Sequence, residues 1–333
     1  MLIIESYSVA VVLLFVTMLC WGSWANTQKL ATQRWSFPLF YWDYTLGIVL
    51  LSLLFGITLG SSGDEGRSFW TDLGQATPQA LGSAFVGGVV FNIANLLLVA
   101  AIDIAGMAVA FPVGIGLALV LGVVVNYVAE PVGDPVLLFV GVALVTLAIV
   151  LDAMAYRRKS QGAKVSTQGL WLSIVAGVLM GFFFRFVAAA VSTDFADPAA
   201  GLMTPYSAVF VFSLGIFLSN FVWNTYFMYR PLKGERVSYG DYFARGTPRL
   251  HLIGILGGVI WCIGMSFSLI ASEQAGFAIS YGLGQGATMV AAAWGVFIWR
   301  EFANAPKGTN KLLYAMFACF IVGLGLLIMA RLE

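Results

Sequence analysis

Several side chains in this sequence carry chemistry that an apolar chain does not need for packing. Asp43, in FYWDY, is a carboxyl group a few residues inside an apolar segment, where an ionisable residue is costly and is a functional candidate. It could carry a proton, or it could reach the membrane interface and pair with Lys29 or Arg34. The stretch CWGSWANTQKL puts Trp21, Ser23, Trp24 and Asn26 together at the end of the first apolar segment. The indole rings offer flat walls for a ring-shaped solute, and Ser23 and Asn26 offer donors and acceptors. An interfacial aromatic belt would explain Trp21 and Trp24 but not their polar neighbours. Asn92 and Asn95 are spaced to share one helix face, as are Gln285 and Thr288. Amides in a membrane core either join helices or line a wet cavity. Arg185, in GFFFRFV, could fix an anionic or carbonyl oxygen with its planar donor fork. Otherwise it snorkels to headgroups or pairs with Asp194 or Asp197. Phe111, Trp261 and Tyr281 are further candidate rings for a cavity wall. Asp152 stands beside Arg157 and Arg158 and reads as an interfacial residue.

Other chemistries have no motif here. There is no GxxxxGK[ST] phosphate loop and no HExxH zinc motif, and His251 is the only histidine. Ser62 sits in a GxSG match, but it belongs to a loop at the opposite end of the chain's spans from His251. The three cysteines, Cys20, Cys262 and Cys319, lie in apolar segments without ligand spacing and read as packing residues. Net charge is +1, which gives no electrostatic case for nucleic acid. No enzyme activity, cofactor or metal is expected.

The elements that must position these residues are membrane helices. The chain is 60% hydrophobic and 10% charged, far from soluble composition. Apolar stretches near 5–28, 37–60, 80–101, 105–128, 134–156, 168–191, 203–229, 250–271, 274–298 and 310–331 each suffice to cross the hydrocarbon. Ten spans are predicted. Alternate loops are basic, holding Lys29 and Arg34, then Arg157, Arg158, Lys159 and Lys164, then Arg230, Lys233, Arg236, Arg245 and Arg249, then Arg300, Lys307 and Lys311. The loops between them hold Asp64, Glu65, Asp72, Glu130, Asp134, Asp194, Asp197 and Glu273. With basic loops cytoplasmic, both termini lie outside. MLIIESYSVA lacks a basic n-region, so the first helix is expected to be retained.

The two halves resemble each other. GGVVFNIANLLLVAAIDIAGMAVAFPVGIG from Gly87 aligns without a gap with GGVIWCIGMSFSLIASEQAGFAISYGLGQG from Gly257, at an offset of 170 residues. LGIVL at Leu46 matches LGIFL at Leu214. Five spans repeated give opposite orientations, which is the inverted-repeat plan of many secondary transporters. The predicted fold is therefore an all-α membrane protein of ten transmembrane helices in two inverted five-helix repeats, 1–160 and 161–333. Its solute cavity is expected between helices one to four and six to nine.

The paired glycine-rich halves resemble the drug/metabolite transporter superfamily. Within it, CWGSWANTQKL, FYWDY and EQAGFAISYGLGQGATMVAAAWGVFIWREF resemble the ureide permeases and glucose/ribose-type porters. The likeness implies a secondary transporter, coupled to protons, for a small neutral polar solute such as a ureide, a nucleobase-like heterocycle or a sugar. Exporters and non-transport receptors or channels share the architecture and stay open as alternatives. The expected setting is the plasma membrane, a bacterial inner membrane, with the chain a monomer or weak homodimer. The expected solute contacts are Trp21, Ser23, Trp24, Asn26, Asn92, Asn95, Phe111, Arg185, Trp261, Tyr281, Gln285 and Thr288, with Asp43 as the proton-coupling residue.

Overall fold

The computed structural model describes residues 1–31, 35–159, 166–232 and 234–332. Arg34, Lys164 and Lys233, three of the predicted loop cations, lie outside the described residues. Every regular element among the described residues is a helix. In chain order they are α1 (Tyr7–Ser23), α2 (Ala25–Ala31), α3 (Phe37–Ile57), α4 (Phe69–Gln75), α5 (Pro78–Ala105), α6 (Met107–Ala129) and α7 (Pro135–Lys159). There follow α8 (Thr167–Ala188), α9 (Pro205–Tyr229), α10 (Tyr239–Arg245), α11 (Pro248–Ala275), α12 (Phe277–Gly284), α13 (Ala287–Ala293) and α14 (Thr309–Met329).

Nine segments among the described residues are long and apolar enough to cross a membrane. They match nine of the ten predicted spans to within a few residues, and the protein is a multi-pass membrane protein. The difference is the predicted span 274–298. Here α11 runs on to Ala275, and the rest is divided into α12, α13 and one π-helical turn, Trp294–Ile298. Gly282, Gly284 and Gly286 weaken the helix there. At the break, Gly286 N donates to the Leu283 carbonyl and Thr288 N to the Gln285 carbonyl, both i to i−3. No single piece is then long enough to span.

Several elements have counterparts at the same offset of 170 residues. α4 and α10 each have 7 residues, and α5 and α11 each have 28. α5 and α11 both begin with a threonine cap followed by proline, Thr77-Pro78 and Thr247-Pro248. Both end at a glycine with positive φ, Gly106 at 79° and Gly276 at 78°. An L side chain is strained there, so glycine is needed for the tight turn into the next helix.

The packing repeats as well. Two bundle contacts bring backbones together at glycines. A Cβ on Gly258 would lie 1.9 Å from the Tyr44 carbonyl oxygen, and one on Gly47 would lie 2.2 Å from that of Ile255, so α3 and α11 touch closely. A Cβ on Gly88 would lie 2.1 Å from the Phe212 carbonyl oxygen, and one on Gly215 would lie 2.2 Å from that of Phe85, so α5 and α9 do the same. Small residues at such crossings let van der Waals packing drive helix association in lipid.

The ends of the bundle differ. At the end carrying Asp64, Glu65 and Asp72, chain segments are tied across the bundle. The Met1 ammonium donates to the Glu65 carbonyl, Tyr206 OH to Leu2 O at 2.9 Å, and Gln274 Nε2 to Ile4 O at 3.1 Å. Asp72, fully buried, takes Arg67 Nε at 2.9 Å and the Thr204 amide at 2.7 Å. The opposite, basic end is where the main cavity lies.

Candidate solute cavity

The cavity has a volume of about 400 Å³, the size of a small-molecule site. It extends from Met180, Phe183 and Gln285 to Lys29, Asp103, Tyr156 and Glu301 at the basic end. Its wall is built from α1, α2, α5, α6, α7, α8, α11 and the broken segment 285–301. Two corrections follow for the expected wall. Helices two and seven of the prediction, α3 and α9, contribute no lining residue, and helix five, α7, does.

Aromatic rings form the apolar side. Trp21 stacks on Trp261 with centroids 5.9 Å apart and planes 15° apart, and its Nε1 donates to the Trp261 carbonyl at 3.2 Å. Trp261 in turn meets Phe91 at 4.5 Å. Gly264 and Gly284 make room for Trp21, since a Cβ at either would lie under 3 Å from its indole. That is a reason for the glycines that flank this ring. Polar groups sit among the rings. Asn95 donates to Tyr41 OH at 3.2 Å, Thr288 Oγ1 donates to the Gln285 carbonyl at 2.8 Å, and both residues line the cavity with Gln285.

Of the solute contacts expected from sequence, Trp21, Trp24, Asn26, Asn95, Phe111, Trp261, Gln285 and Thr288 line the cavity. Four do not. Ser23 accepts from Trp294 Nε1 at 2.9 Å, and it is Trp294 that lines the cavity. Asn92 Nδ2 donates to the Ile216 carbonyl and Ser219 Oγ, joining α5 to α9. Tyr281 is fully buried, and its OH donates to the carbonyls of Ala118 and Met180, so it joins α12 to α6 and α8. Arg185 lies at the acidic end, where its charge acts on Glu130. Burial pushes the Glu130 carboxyl above its usual range, and Arg185 and Arg331 pull it back.

Asp43 is also outside the cavity. It is 1% exposed and sits in a cluster at the basic end of α3. Tyr242 OH donates to its Oδ1, Trp35 Nε1 to Oδ2 at 3.3 Å, and His251 Nδ1 lies 2.9 and 3.1 Å from the two oxygens. The alternative of a pair with Lys29 does not hold, because Lys29 Nζ is 3.0 Å from Glu301 Oε1. Gly254 allows the approach, as a Cβ there would lie 2.4 Å from Asp43 Cβ. Burial, and next the Asp43 carboxylate, push the Tyr242 phenol above its usual range.

The mouth joins groups that the sequence does not bring together: Glu301, at a helix end, and Lys29 stand out in the sequence as charges, but not as partners. Glu301 takes Lys29 at 3.0 Å, Lys159 at 3.7 Å and Tyr156 OH at 3.0 Å. Lys29 also lies 4.1 Å over the Trp299 ring, and Trp299 Nε1 donates to Asn26 Oδ1 at 2.7 Å. Burial raises the Glu301 carboxyl, but Lys29, Tyr156 and Lys159 outweigh it and hold it below its ordinary value. Asp152 corrects a second expectation. It is not interfacial beside Arg157 and Arg158 but 8% exposed and on the cavity wall. A signal existed: Asp152, Tyr156 and Lys159 fall at i, i+4 and i+7, one helix face.

A multi-helix membrane bundle with a solute-sized cavity, lined by rings, aliphatic side chains and polar groups, fits a membrane carrier. The comparisons with known proteins narrow the class. The ureide permease family model matches residues 40–167 and 156–330, so the chain belongs to the ureide permease family. Ureide permease 1 of Arabidopsis thaliana is 23% identical over 98% of this chain and 98% of its own length. A putative sugar uptake protein of Enterococcus faecalis is 22% identical over 84% of this chain and 86% of its own. A crystal structure at 14% identity shares the fold, with a TM-score of 0.59 over 98% of this chain and 99% of that one. The protein is a membrane transporter for small polar solutes.

Proposed function

We propose that this transporter moves a small neutral polar organic solute, a ureide, a nucleobase-like heterocycle or a sugar, across a plasma membrane by alternating access coupled to protons. The observation that carries the reading is the cavity of about 400 Å³, walled by Trp21, Trp261 and Phe91 with Asn95, Gln285 and Thr288 among the rings. Stacked rings suit a planar or ring-shaped solute, and neutral amides suit one without net charge. The names of the relatives, ureide permeases and a sugar uptake protein, support the same range of solutes.

The chain crosses the membrane ten times in two inverted halves, 1–160 and 161–333, with α12, α13 and the π turn as the ninth crossing. Support comes from the matched lengths of α5 and α11, the matched glycine turns, and the paired glycine contacts of α3 on α11 and α9 on α5. The basic end faces the cytoplasm in this reading, with both termini outside and the cavity mouth toward the cytoplasm, which the basic loops support. The setting is a bacterial inner membrane, and the working unit is a monomer or weak homodimer.

Asp43 is the coupling residue in this reading, acting together with His251. Its carboxyl bridges α3, α10 and α11, so taking up a proton weakens ties between helices that must shift when the cavity closes. Reconstituted in proteoliposomes, the wild type should accumulate allantoin, uracil or glucose when a proton gradient is imposed. Asp43→Asn should lose that accumulation while still exchanging solute. Undiminished accumulation by Asp43→Asn moves the coupling role to another residue.

A further inference from the structure

The acids near the cavity mouth fall into two kinds. Glu301 has Lys29, Lys159 and Tyr156, and Asp103 has a partner too. Asp152 differs. It lines the cavity at 8% exposure, and its Oδ1 is closed off from solvent and hydrogen-bonded to nothing among the described residues. Leaving a buried acceptor unpaired costs about 1–3 kcal/mol, and more when it is charged. Because Asp152 lines the cavity, a solute that enters can supply the missing donor once the carboxyl turns toward it.

The chemistry of the entering group follows from the neighbours. The nearby cations Lys29 and Lys159 are held by Glu301. No group of three or more metal-ligating side chains occurs among the described residues. Away from the ionisable groups of the mouth, the wall is rings, aliphatic side chains and a few neutral polar groups, Asn95, Gln285 and Thr288, which favour a neutral, ring-shaped molecule. Such a molecule brings hydrogen-bond donors, and a carboxyl group is the natural acceptor for two adjacent ones. Neighbouring N–H groups of a urea unit meet two carboxyl oxygens much as a guanidinium fork does, and a vicinal diol can do the same.

We propose that Asp152 is the solute's acceptor, pairing its carboxyl with two adjacent donors of a neutral solute, either a urea-type N–H pair or a vicinal diol. This rests on the transport reading above. It adds a specificity-determining contact, and it predicts that a solute without adjacent donors is a poor substrate.

The test is titration of purified protein with allantoin, uracil and glucose, for the wild type, Asp152→Asn and Glu301→Gln. Allantoin or glucose, where it binds the wild type, should bind Asp152→Asn at least tenfold more weakly, because the carboxamide turns one acceptor into a donor; uracil, whose two ring N–H groups point apart, should show no such gap. Glu301→Gln should change affinity much less. N-methylated allantoin should erase the gap between wild type and Asp152→Asn if the pair is N–H, and a deoxy sugar should do so if it is a diol. Affinity of Asp152→Asn for allantoin or glucose within twofold of the wild type overturns the assignment. A ligand-free measurement keeps the question open to failure if no probe binds and the solute class proposed above is wrong. An acceptor held for solute is a liability when empty, so ligand-free Asp152→Asn should melt at or above the wild-type temperature. A fall of several degrees marks a structural carboxyl and overturns the proposal.

Discussion

Asp43 and Asp152 are both buried carboxyls near the basic end, 1% and 8% exposed, each inside a spanning helix. Asp43 is surrounded by donors from three other parts of the chain, Trp35, Tyr242 and His251. Among the described residues, Asp152 Oδ1 has none. Burial alone therefore does not assign a role to an ionisable residue in a membrane protein. What counts is which of its bonds the fold already makes. A saturated carboxyl holds helices together and can act only by letting go of them, whereas an unsaturated one on a cavity wall can act by taking hold of a solute.

That contrast can be broken most strongly at Asp43. Asp43→Ala removes the acceptor that Trp35, Tyr242 and His251 share, and each buried donor left unpaired costs about 1–3 kcal/mol. The ligand-free protein should show that loss as a large fall in melting temperature, in contrast to the response expected of Asp152→Asn. A wild-type melting temperature for Asp43→Ala would mean the two sites do not differ as described. A smaller effect is expected from Tyr242→Phe, which removes one hydrogen bond to a charged acceptor, worth about 1.5–3 kcal/mol. Its loss should shrink in an Asp43→Asn background, and independent losses in the double variant would separate the phenol from the cluster.

The smallest effect belongs to Glu301. Its carboxyl is held below its ordinary value near 4.5, so its contribution to stability is present above that pH and is lost as pH falls through the lowered value. Its side chain is 25% exposed and Lys29 is 46% exposed, so the contribution is under about 1 kcal/mol. A melting curve against pH should be slightly steeper below pH 4.5 for the wild type than for Glu301→Gln, and less so in high salt. Equal slopes would leave the mouth clasp without energetic weight.

Much of this was legible in the sequence, for reasons that differ by residue. The helices were legible because lipid demands long apolar stretches, and the matching turns at Gly106 and Gly276 because a positive φ leaves few choices but glycine. The tryptophan wall was legible because Trp21 and Trp24 have polar neighbours that a belt does not need. The break after α12 was not, since glycines also occur in unbroken membrane helices such as α6, which runs through Gly114, Gly116 and even Pro112. Asp43 stood out as an ionisable group, but its partners Tyr242 and His251 lie about 200 residues away, and only the packing of α3 on α11 joins them. Asp152 was misjudged from its neighbours in sequence. Arg157 and Arg158 point away from it around the helix, while Tyr156, one turn on, shares its face.

The central claim is that the cavity carries solute by alternating access. Counterflow tests it most directly. Proteoliposomes holding wild-type protein are loaded with unlabelled allantoin, uracil or glucose, and entry of the same labelled compound is followed without any imposed gradient. The account predicts saturable entry that overshoots and then declines, driven by the unlabelled solute inside, and lost in Trp261→Ala, which removes a ring from the cavity wall. Entry that rises linearly with concentration, shows no overshoot and is unaffected by solute on the far side would contradict it.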